Sequence, residues 1–251
     1  MRKCFTVLIC LSLLSVWYQS ASAQVNEATV LWYKFDVPPR GEVEDRSPYG
    51  NNGIITGQIE FEQDGKIGGA ARFATGTRIT VPITDSLNTA EALTIEFWVQ
   101  CDPVPASTYW RLIHKGWAQS GSYICGMDNN WMALGYTWDI NSMAGVRTDA
   151  NKADAVVEET WQYYSATYDG EKIILYLDGE PAVQTVANGE INGKFEIIIA
   201  ETFSGLLDEI RFSNVALDQD EIKDHMEGQE FKAVDADDKL TTTWAKIRSG
   251  Q

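Results

Sequence analysis

The sequence predicts an all-β fold of two stacked antiparallel sheets with one short helix near the C-terminal end. Apolar and polar residues alternate over short runs that Gly, Asp and Asn separate, as expected for half-buried strands. Asp-Gly pairs at 169–170 and 178–179 stand between apolar runs and predict tight hairpin turns. An aromatic strand at 31–36 and a buried strand beginning at 205 are expected to close the sandwich from the two ends of the domain.

Strand signals follow one another through the first two thirds of the chain. Strand 31–36 runs into a turn-rich segment, 44–53, that is rich in oxygen side chains. In 93–99 the odd positions are apolar and form one face, while the even positions form the other. Shorter runs predict strands at 53–61, 70–74, 78–82, 110–115, 121–126, 131–137, 143–147 and 195–200.

The end of the domain gives the clearest local signals. Residues 161–186 contain three apolar runs joined by the two Asp-Gly turns, which predicts a three-stranded meander. A helix is predicted to begin at Asp218, whose side chain can cap the first amides while Glu221 reaches back. Its apolar residues Ile222 and Met226 share one face, so the helix is expected to cover an edge of the sandwich.

The first 23 residues are predicted to be a secretion signal and not part of the folded domain. Arg2 and Lys3 precede an apolar run of twelve residues, and the small residues of 21–23 follow as a cleavage site. A bilayer span needs about 20 apolar residues, so a membrane anchor is disfavoured. We therefore predict a signal peptide at 1–23, one domain at 24–228, a polar C-terminal extension at 229–251, and an extracellular or periplasmic location.

The charge balance excludes some partner classes. The chain has 20 Lys+Arg against 36 Asp+Glu, and loss of Arg2 and Lys3 with the signal peptide leaves 18 basic residues. Nucleic-acid affinity depends on neutralising phosphates with basic side chains, and no basic stripe is present. Nucleic acids and anionic membranes are therefore not expected as partners, and the acidic surface also serves solubility.

Two cysteines remain in the predicted mature chain, Cys101 and Cys125. Exported proteins fold in an oxidising compartment, where a disulfide between neighbouring strands can form. The alternative is a pair of buried free thiols. A zinc site is excluded because the whole chain has only two histidines.

The two end segments and the meander together resemble a known family. The pairing of LWYKFD with GLLDEIRFSNVAL, and the phrase W-x6-Y-D-G-x4-L-Y-x-D-G from Trp161 to Gly179, are similar to LamG-like jelly rolls of the concanavalin A-like superfamily. The resemblance covers residues 28–228. It implies a jelly-roll sandwich that binds a ligand and carries out no chemistry.

The segment 44–53 is a candidate calcium site. It offers carboxylate, amide and hydroxyl oxygens, the ligands that calcium takes in sets of six to eight. The resemblance implies a structural calcium ion between this loop and the last strand, with Asp45 and Asp208 as ligands and Asn52 behind them. The alternative is that the loop is only a tight turn and that Asp208 is an internal cap, because turns use the same residue types.

Catalytic motifs are weak throughout. Glu60, Glu62 and Asp64 recur at every second position, but Glu60 and Asp64 would stand roughly 13 Å apart in a strand, beyond the ~5–9.5 Å that paired-carboxylate hydrolysis needs. Neither His114 nor His225 neighbours a nucleophile in a known pattern. The sequence therefore predicts a protein that is not an enzyme.

Aromatic residues are dense between 109 and 138, with Asp and Asn beside them. Aromatic faces stack on sugar rings and polar neighbours fix the hydroxyls, although large aromatics also fill sandwich cores. Trp117 and Trp138 occur in segments that suggest exposure, so we predict a ligand site of Trp117, Trp138, Asp139 and Asn141.

These observations predict a secreted binding domain for a carbohydrate or glycoconjugate. A protein-interaction or adhesion domain without sugar affinity is the alternative, since one fold serves several functions. A polysaccharide hydrolase of the same architecture is a third. Carboxylates brought together in a groove would favour the enzyme, an exposed aromatic platform the lectin, and a flat polar sheet face the protein binder.

Overall fold

The computed structural model describes residues 28–228, so the predicted signal peptide and C-terminal extension lie outside the described residues. Sixteen strands and one helix make up this part of the chain. The elements are β1 (Thr29–Tyr33), β2 (Glu42–Val43), β3 (Gly53–Thr56), β4 (Glu60–Glu62), β5 (Ala70–Phe73), β6 (Arg78–Val81), β7 (Leu93–Cys101), β8 (Tyr109–Lys115), β9 (Ser122–Asp128), β10 (Gly135–Asn141), β11 (Arg147–Lys152), β12 (Gln162–Tyr168), β13 (Lys172–Leu177), β14 (Glu180–Val186), β15 (Ile197–Ile199), β16 (Gly205–Ser213) and α1 (Gln219–Met226).

The strands form two eight-stranded antiparallel sheets, which confirms the predicted jelly-roll sandwich. Sheet 1 has the order β14-β13-β12-β7-β16-β5-β4, and β1 also pairs with β16. Sheet 2 has the order β11-β10-β9-β8-β15-β6-β3-β2. Crossovers between sheets place strands that are distant in sequence side by side, as in the pairing of β15 with both β6 and β8.

The two end strands, β1 and β16, pair directly with each other. A β-bulge between Asp208 and Arg211 divides β16, so that its first residues pair with β5 and its later ones with β1. Glu209 lies in this bulge with a positive φ of 50°, a conformation that non-glycine residues rarely adopt. Ser213 on β16 faces Thr29 on β1, so both ends of the described domain lie on sheet 1.

One continuous apolar core fills the space between the sheets, and β7 shows how the sequence builds it. Leu93, Ile95, Phe97 and Val99 all point into this core, as their alternation predicts. The opposite face of β7 is also buried, because α1 packs over sheet 1 through Trp98 and its neighbours. Strand β7 is therefore buried on both faces.

Helix α1 begins where the sequence predicts. The Asp218 side chain accepts a hydrogen bond from the Glu221 amide, and the Glu221 carboxylate accepts one from the Asp218 amide. This capping box satisfies two amides that the first turn leaves without partners. Ile222 is fully buried against sheet 1. Among residues 28–228, no helix has the length and apolar character that a bilayer crossing needs.

The predicted disulfide is wrong, and the two cysteines are buried free thiols. The prediction placed Cys101 and Cys125 on neighbouring strands. Cys101 instead ends β7 in sheet 1, whereas Cys125 lies in the middle of β9 in sheet 2. The two cysteines therefore do not lie on the neighbouring strands that the predicted bridge required.

Candidate functional site

A cleft of about 610 Å³ lies on the outer face of sheet 2, over strands β8 to β11. Its volume falls within the usual range for small-molecule sites. Most of its lining residues alternate with core residues along the four strands, and the rest come from two loops. The lining consists of Tyr109, Arg111, Trp117, Ala118, Ser122, Tyr123, Ile124, Asp128, Trp131, Thr137, Asp139, Ile140, Asn141, Arg147, Asp149 and Asn151.

Strand β10 shows how the alternation builds the cleft floor. Asp139 and Asn141 line the cleft, and their role in ligand binding stays a prediction. Trp138, the residue before Asp139, points to the opposite face of the strand and is fully buried in the core. The prediction that Trp138 is exposed and contacts a ligand is therefore wrong. Because consecutive side chains of a strand point to opposite faces, Trp138 and Asp139 cannot both face the cleft.

A charged network occupies the floor next to β11. Arg147 donates hydrogen bonds to Asp139 Oδ2 at 3.0 Å and to Asp149 Oδ1 at 2.8 Å, and so bridges two carboxylates that face each other across β10 and β11. The Tyr109 hydroxyl donates to Asp139 Oδ2 at 3.3 Å. Burial, with the neighbouring Asp149 charge, raises the pKa of Asp139 to about 6 despite the opposing effect of Arg147. The floor thus holds an ionisable acceptor near neutral pH.

Trp117 forms an exposed aromatic wall of the cleft. Its loop joins β8 to β9, and its ring is stacked with the Arg111 guanidinium at 3.9 Å while the side chain stays 56% exposed. Arg111 is anchored in turn by an ion pair to Glu201 at 3.2 Å. Asn141 donates a hydrogen bond to the Ala118 carbonyl at 3.0 Å, which ties the same loop to β10. The Trp117 loop is therefore held from both sides.

Trp131 forms a second aromatic wall of the cleft. It was not among the ligand-site residues predicted from the sequence. It lies in the loop 129–134 between β9 and β10 and is 84% exposed. The Asp128 carboxylate accepts hydrogen bonds from the amides of Asn130 at 2.7 Å and Trp131 at 3.0 Å, which fixes the start of the loop. The signal was the run Asp-Asn-Asn before Trp131, which is typical of a turn and argues against the strand predicted at 131–137.

Two polar groups of the cleft wall have buried atoms without a hydrogen-bond partner. These are Nε and Nη1 of Arg111 and Oδ1 of Asn141. Buried polar atoms are nearly always paired, so such atoms at a cleft are candidates for contacts with water or a bound molecule. The cleft therefore combines two exposed indoles with fixed donors and acceptors.

The predicted calcium ligands Asp45 and Asn52 form hydrogen bonds within their own loop. Asp45 Oδ1 accepts hydrogen bonds from the amides of Trp32 and Ser47, both at 2.8 Å. Asp45 Oδ2 accepts from the Ser47 hydroxyl at 2.6 Å and the Asn51 amide at 2.7 Å, and Asn52 Oδ1 accepts from the Asp45 amide at 3.0 Å. Asp45 and Asn52 do lie together, but the donors of their own loop already occupy both Asp45 carboxylate oxygens.

Asp208 is fully buried in the bulge of β16 and accepts hydrogen bonds from the amides of Ile67 at 2.8 Å and Glu209 at 2.7 Å. Burial raises the pKa of Asp208 to about 8. Within residues 28–228, no group of three or more His, Cys, Asp or Glu side chains is arranged to hold a metal ion. The arrangement of these residues does not fit an ion shared by Asp45 and Asp208. Calcium at Asp45, Asn52 and Asp208 stays a prediction, and the hydrogen bonds to the carboxylate oxygens argue against it.

The carboxylates of the weak catalytic pattern lie elsewhere. Glu60 and Glu62 are on β4, the edge strand of sheet 1, and neither lines the cleft. Glu62 forms an ion pair with Arg72 at 3.4 Å. The only carboxylates in the cleft lining are Asp128, Asp139 and Asp149.

Solved structures with the same fold include two binding domains. The binding domain of Paraclostridial Mosquitocidal Protein 1 superposes with a TM-score of 0.68 at 15% identity over 82% of this chain and 53% of that one. The binding domain of botulinum neurotoxin serotype D gives 0.64 at 14% identity, again over 82% and 53%. The chain thus spans about half the length of these toxin domains.

A third structure matches over nearly its whole length. Domain 4 of AbnA, a GH43 extracellular arabinanase from Geobacillus stearothermophilus solved with arabinotriose, gives a TM-score of 0.61 at 19% identity, covering 78% of this chain and 97% of that one. No curated protein matches the chain. The sequence model of one family matches residues 73–223, more than half of the chain. The chain belongs to the concanavalin A-like lectin/glucanases superfamily.

Proposed function

We propose that this protein is a secreted domain that binds carbohydrate or a glycoconjugate in the cleft of sheet 2. The observation that carries the proposal is the pair of exposed indoles, Trp117 and Trp131, beside the polar floor formed by Asp139 and its neighbours. Exposed tryptophans offer a flat apolar face to a sugar ring, and fixed carboxylates and amides can bind its hydroxyls. The superposition on an arabinanase domain solved with arabinotriose supports the same ligand class.

The protein-interaction alternative fits the surface less well. A protein partner usually needs a broad complementary patch, about 800 Å² on each side. The large exposed apolar side chains of the described residues include Val37 and Ile83 in loops and Val186 on β14. The two exposed indoles instead line one cleft, which favours a ligand small or narrow enough to enter it.

A polysaccharide hydrolase is the second candidate, because two carboxylates do meet in the groove. Asp139 and Asp149 are directly opposite across β10 and β11, and the Asp139 pKa is raised to about 6. A carboxyl group with a raised pKa beside a second carboxyl group is a feature of glycosidases. Binding is favoured because Arg147 bridges both carboxylates and occupies the position between them.

Secretion belongs to the same proposal. A signal peptide at 1–23 would deliver residues 24–251 to the periplasm or the cell exterior, where polysaccharides are accessible. Edman sequencing or mass spectrometry of the exported protein tests this part. An N-terminus at residue 24 is the expected result.

The binding test uses purified 24–251 on a panel of immobilised polysaccharides and glycans, beside Trp117→Ala. We expect saturable binding to at least one glycan and a loss of affinity of about tenfold or more in the variant. Tyr49→Ala is the matched control, since Tyr49 is 43% exposed and lies outside the cleft. Equal loss in both variants, or no binding by the wild type, would contradict the proposal.

The same preparation distinguishes binding from hydrolysis. Incubation with each bound polysaccharide, followed by a reducing-end assay, is expected to release no product. Release that disappears in both Asp139→Asn and Asp149→Asn would establish the hydrolase instead.

A further inference from the structure

The two exposed indoles belong to loops at opposite ends of β9. The Trp117 loop precedes β9, and its Ala118 carbonyl is bound by Asn141, which pairs with Ser122 at the beginning of that strand. The Trp131 loop follows β9, and its first amides are bound by Asp128 at the other end of the strand. Strand β9 rises by about 3.3 Å per residue, so Ser122 and Asp128 lie roughly 20 Å apart. The cleft lining includes Ser122 and Asp128 from the two ends of β9, and an aromatic loop is attached at each end of this strand.

The floor between the two loops is polar along its length. Thr137, Asp139 and Asn141 follow one another at every second position of β10, and all three line the cleft. A single sugar ring fits one aromatic wall and part of this floor, and leaves the other wall without a contact. A chain of several sugar rings contacts both walls and the polar row between them.

The charges of the cleft select against an acidic glycan. Three carboxylates and two guanidinium groups line it, and both guanidinium groups already have carboxylate partners. Arg111 pairs with Glu201 at 3.2 Å, and Arg147 pairs with Asp139 and Asp149. A uronate or sulfate would meet three carboxylates, and each guanidinium group of the lining is already in an ion pair, with only Nε and Nη1 of Arg111 left without a partner. Neutral hydroxyls, by contrast, can donate to the carboxylates.

We propose that the ligand is the interior of a neutral, linear polysaccharide chain that lies along β9, with sugar rings stacked on Trp117 at one end and on Trp131 at the other. This inference rests on the proposed carbohydrate-binding function and deepens it. Because the cleft contacts ring faces and hydroxyls along the chain, neither chain end is required for recognition.

The test is calorimetric titration of 24–251 with neutral oligosaccharides of increasing length. The probes are the arabino-, xylo-, cello- and manno-series from the monosaccharide to the hexasaccharide, with oligogalacturonate as the acidic counterpart. In the series that binds, we expect affinity to rise by about tenfold or more with length and then to level off. Reduction of the reducing end to the alditol is expected to change the affinity of the longest oligomer by less than about twofold.

Trp131→Ala separates this inference from a single-site lectin. It is expected to lower the affinity for the hexasaccharide to the level of the short oligomers while leaving the short oligomers that rest on Trp117 within about twofold. Trp131→Tyr keeps a ring at the same place and is expected to recover most of the lost affinity. Recovery would exclude a merely misfolded loop.

Each adverse result has a distinct meaning. A monosaccharide that binds as tightly as the hexasaccharide, or an affinity abolished by reduction of the chain end, would overturn the interior binding mode and leave the carbohydrate-binding function standing. Tighter binding of oligogalacturonate than of every neutral series would overturn the neutral ligand class. No affinity for any oligosaccharide or for any immobilised glycan would overturn the proposed function itself.

Discussion

Asp45→Ala is expected to destabilise the domain strongly, because this carboxylate organises the loop between β1 and β3. In the wild type, its oxygens accept hydrogen bonds from the amides of Trp32, Ser47 and Asn51 and from the Ser47 hydroxyl, at 2.6 to 2.8 Å. Asp45 itself is buried. Alanine removes the acceptor and leaves three amides to find new partners in a place that water enters poorly.

The expected loss follows from these contacts. A buried donor left without a partner costs about 1–3 kcal/mol, so three amides give a loss of about 3 kcal/mol or more in the free energy of unfolding. For a domain of this size, 1 kcal/mol corresponds to roughly 2–4 °C in Tm. The variant should therefore melt roughly 6–12 °C below the wild type.

Urea and thermal unfolding, both followed by near-UV circular dichroism, measure this loss. Asp64→Ala is the matched control, because Asp64 is exposed and outside any strand, and it should shift Tm by less than about 2 °C. A loss below about 1 kcal/mol for Asp45→Ala, with the same slope in urea, would refute the account of the loop.

Three further results are expected. With the pKa of Asp139 raised from 3.8 to about 6, the folded state keeps a proton that the unfolded state releases, so stability should fall as pH rises from about 4 to 6, and Asp139→Asn should flatten this slope in unfolding titrations. Excess EDTA should leave Tm unchanged and elemental analysis should find no calcium, since backbone amides occupy the oxygens of Asp45 and Asp208; a lower Tm would restore the calcium site. Burial raises the pKa of Cys101 to about 11 and that of Cys125 still further, so iodoacetamide should label neither in folded protein and both after denaturation without reductant; a bridged peptide in the mass map would refute this.

Local chemistry explains which elements could be predicted from the sequence. The meander depends on turns that need positive φ, and Gly170 and Gly179 adopt φ of 90° and 76° after the two aspartates. The capping box of α1 is likewise a property of neighbouring residues, from Asp218 to Glu221. Features that depend on a few neighbouring residues could therefore be predicted from the sequence.

Strand limits in the cleft could not be predicted in the same way. The sequence suggested strands at 131–137 and 143–147, whereas β10 and β11 occupy Gly135–Asn141 and Arg147–Lys152. Their limits depend on pairing with β9 and with each other, which local alternation does not encode. These limits explain why Trp138 was wrongly predicted to be exposed and why Trp131 was not predicted as a site residue. Trp138 lies within β10 with its side chain in the core, whereas Trp131 lies in the preceding loop and is exposed.

The same shift concealed the partners of Asp139. Arg147 and Asp149 become its neighbours only because β11 folds back antiparallel to β10. Arg111 reaches Trp117 because β8 and its following loop lie on the same outer face. Trp117, Asp139 and Asn141 were recognised as single residues, but their contacts depend on a topology that becomes visible only in three dimensions.

The pairing of β1 with β16 has a consequence for how the domain can be attached to other molecules. Chain entry at Thr29 and the exit that leads to α1 both lie on sheet 1, whereas the cleft opens on the outer face of sheet 2. Polypeptide joined at either point is therefore attached to the sheet that does not carry the cleft. A tether, a catalytic module or a solid support joined there would be attached to sheet 1 and would leave the cleft of sheet 2, with its two tryptophans, accessible to a ligand.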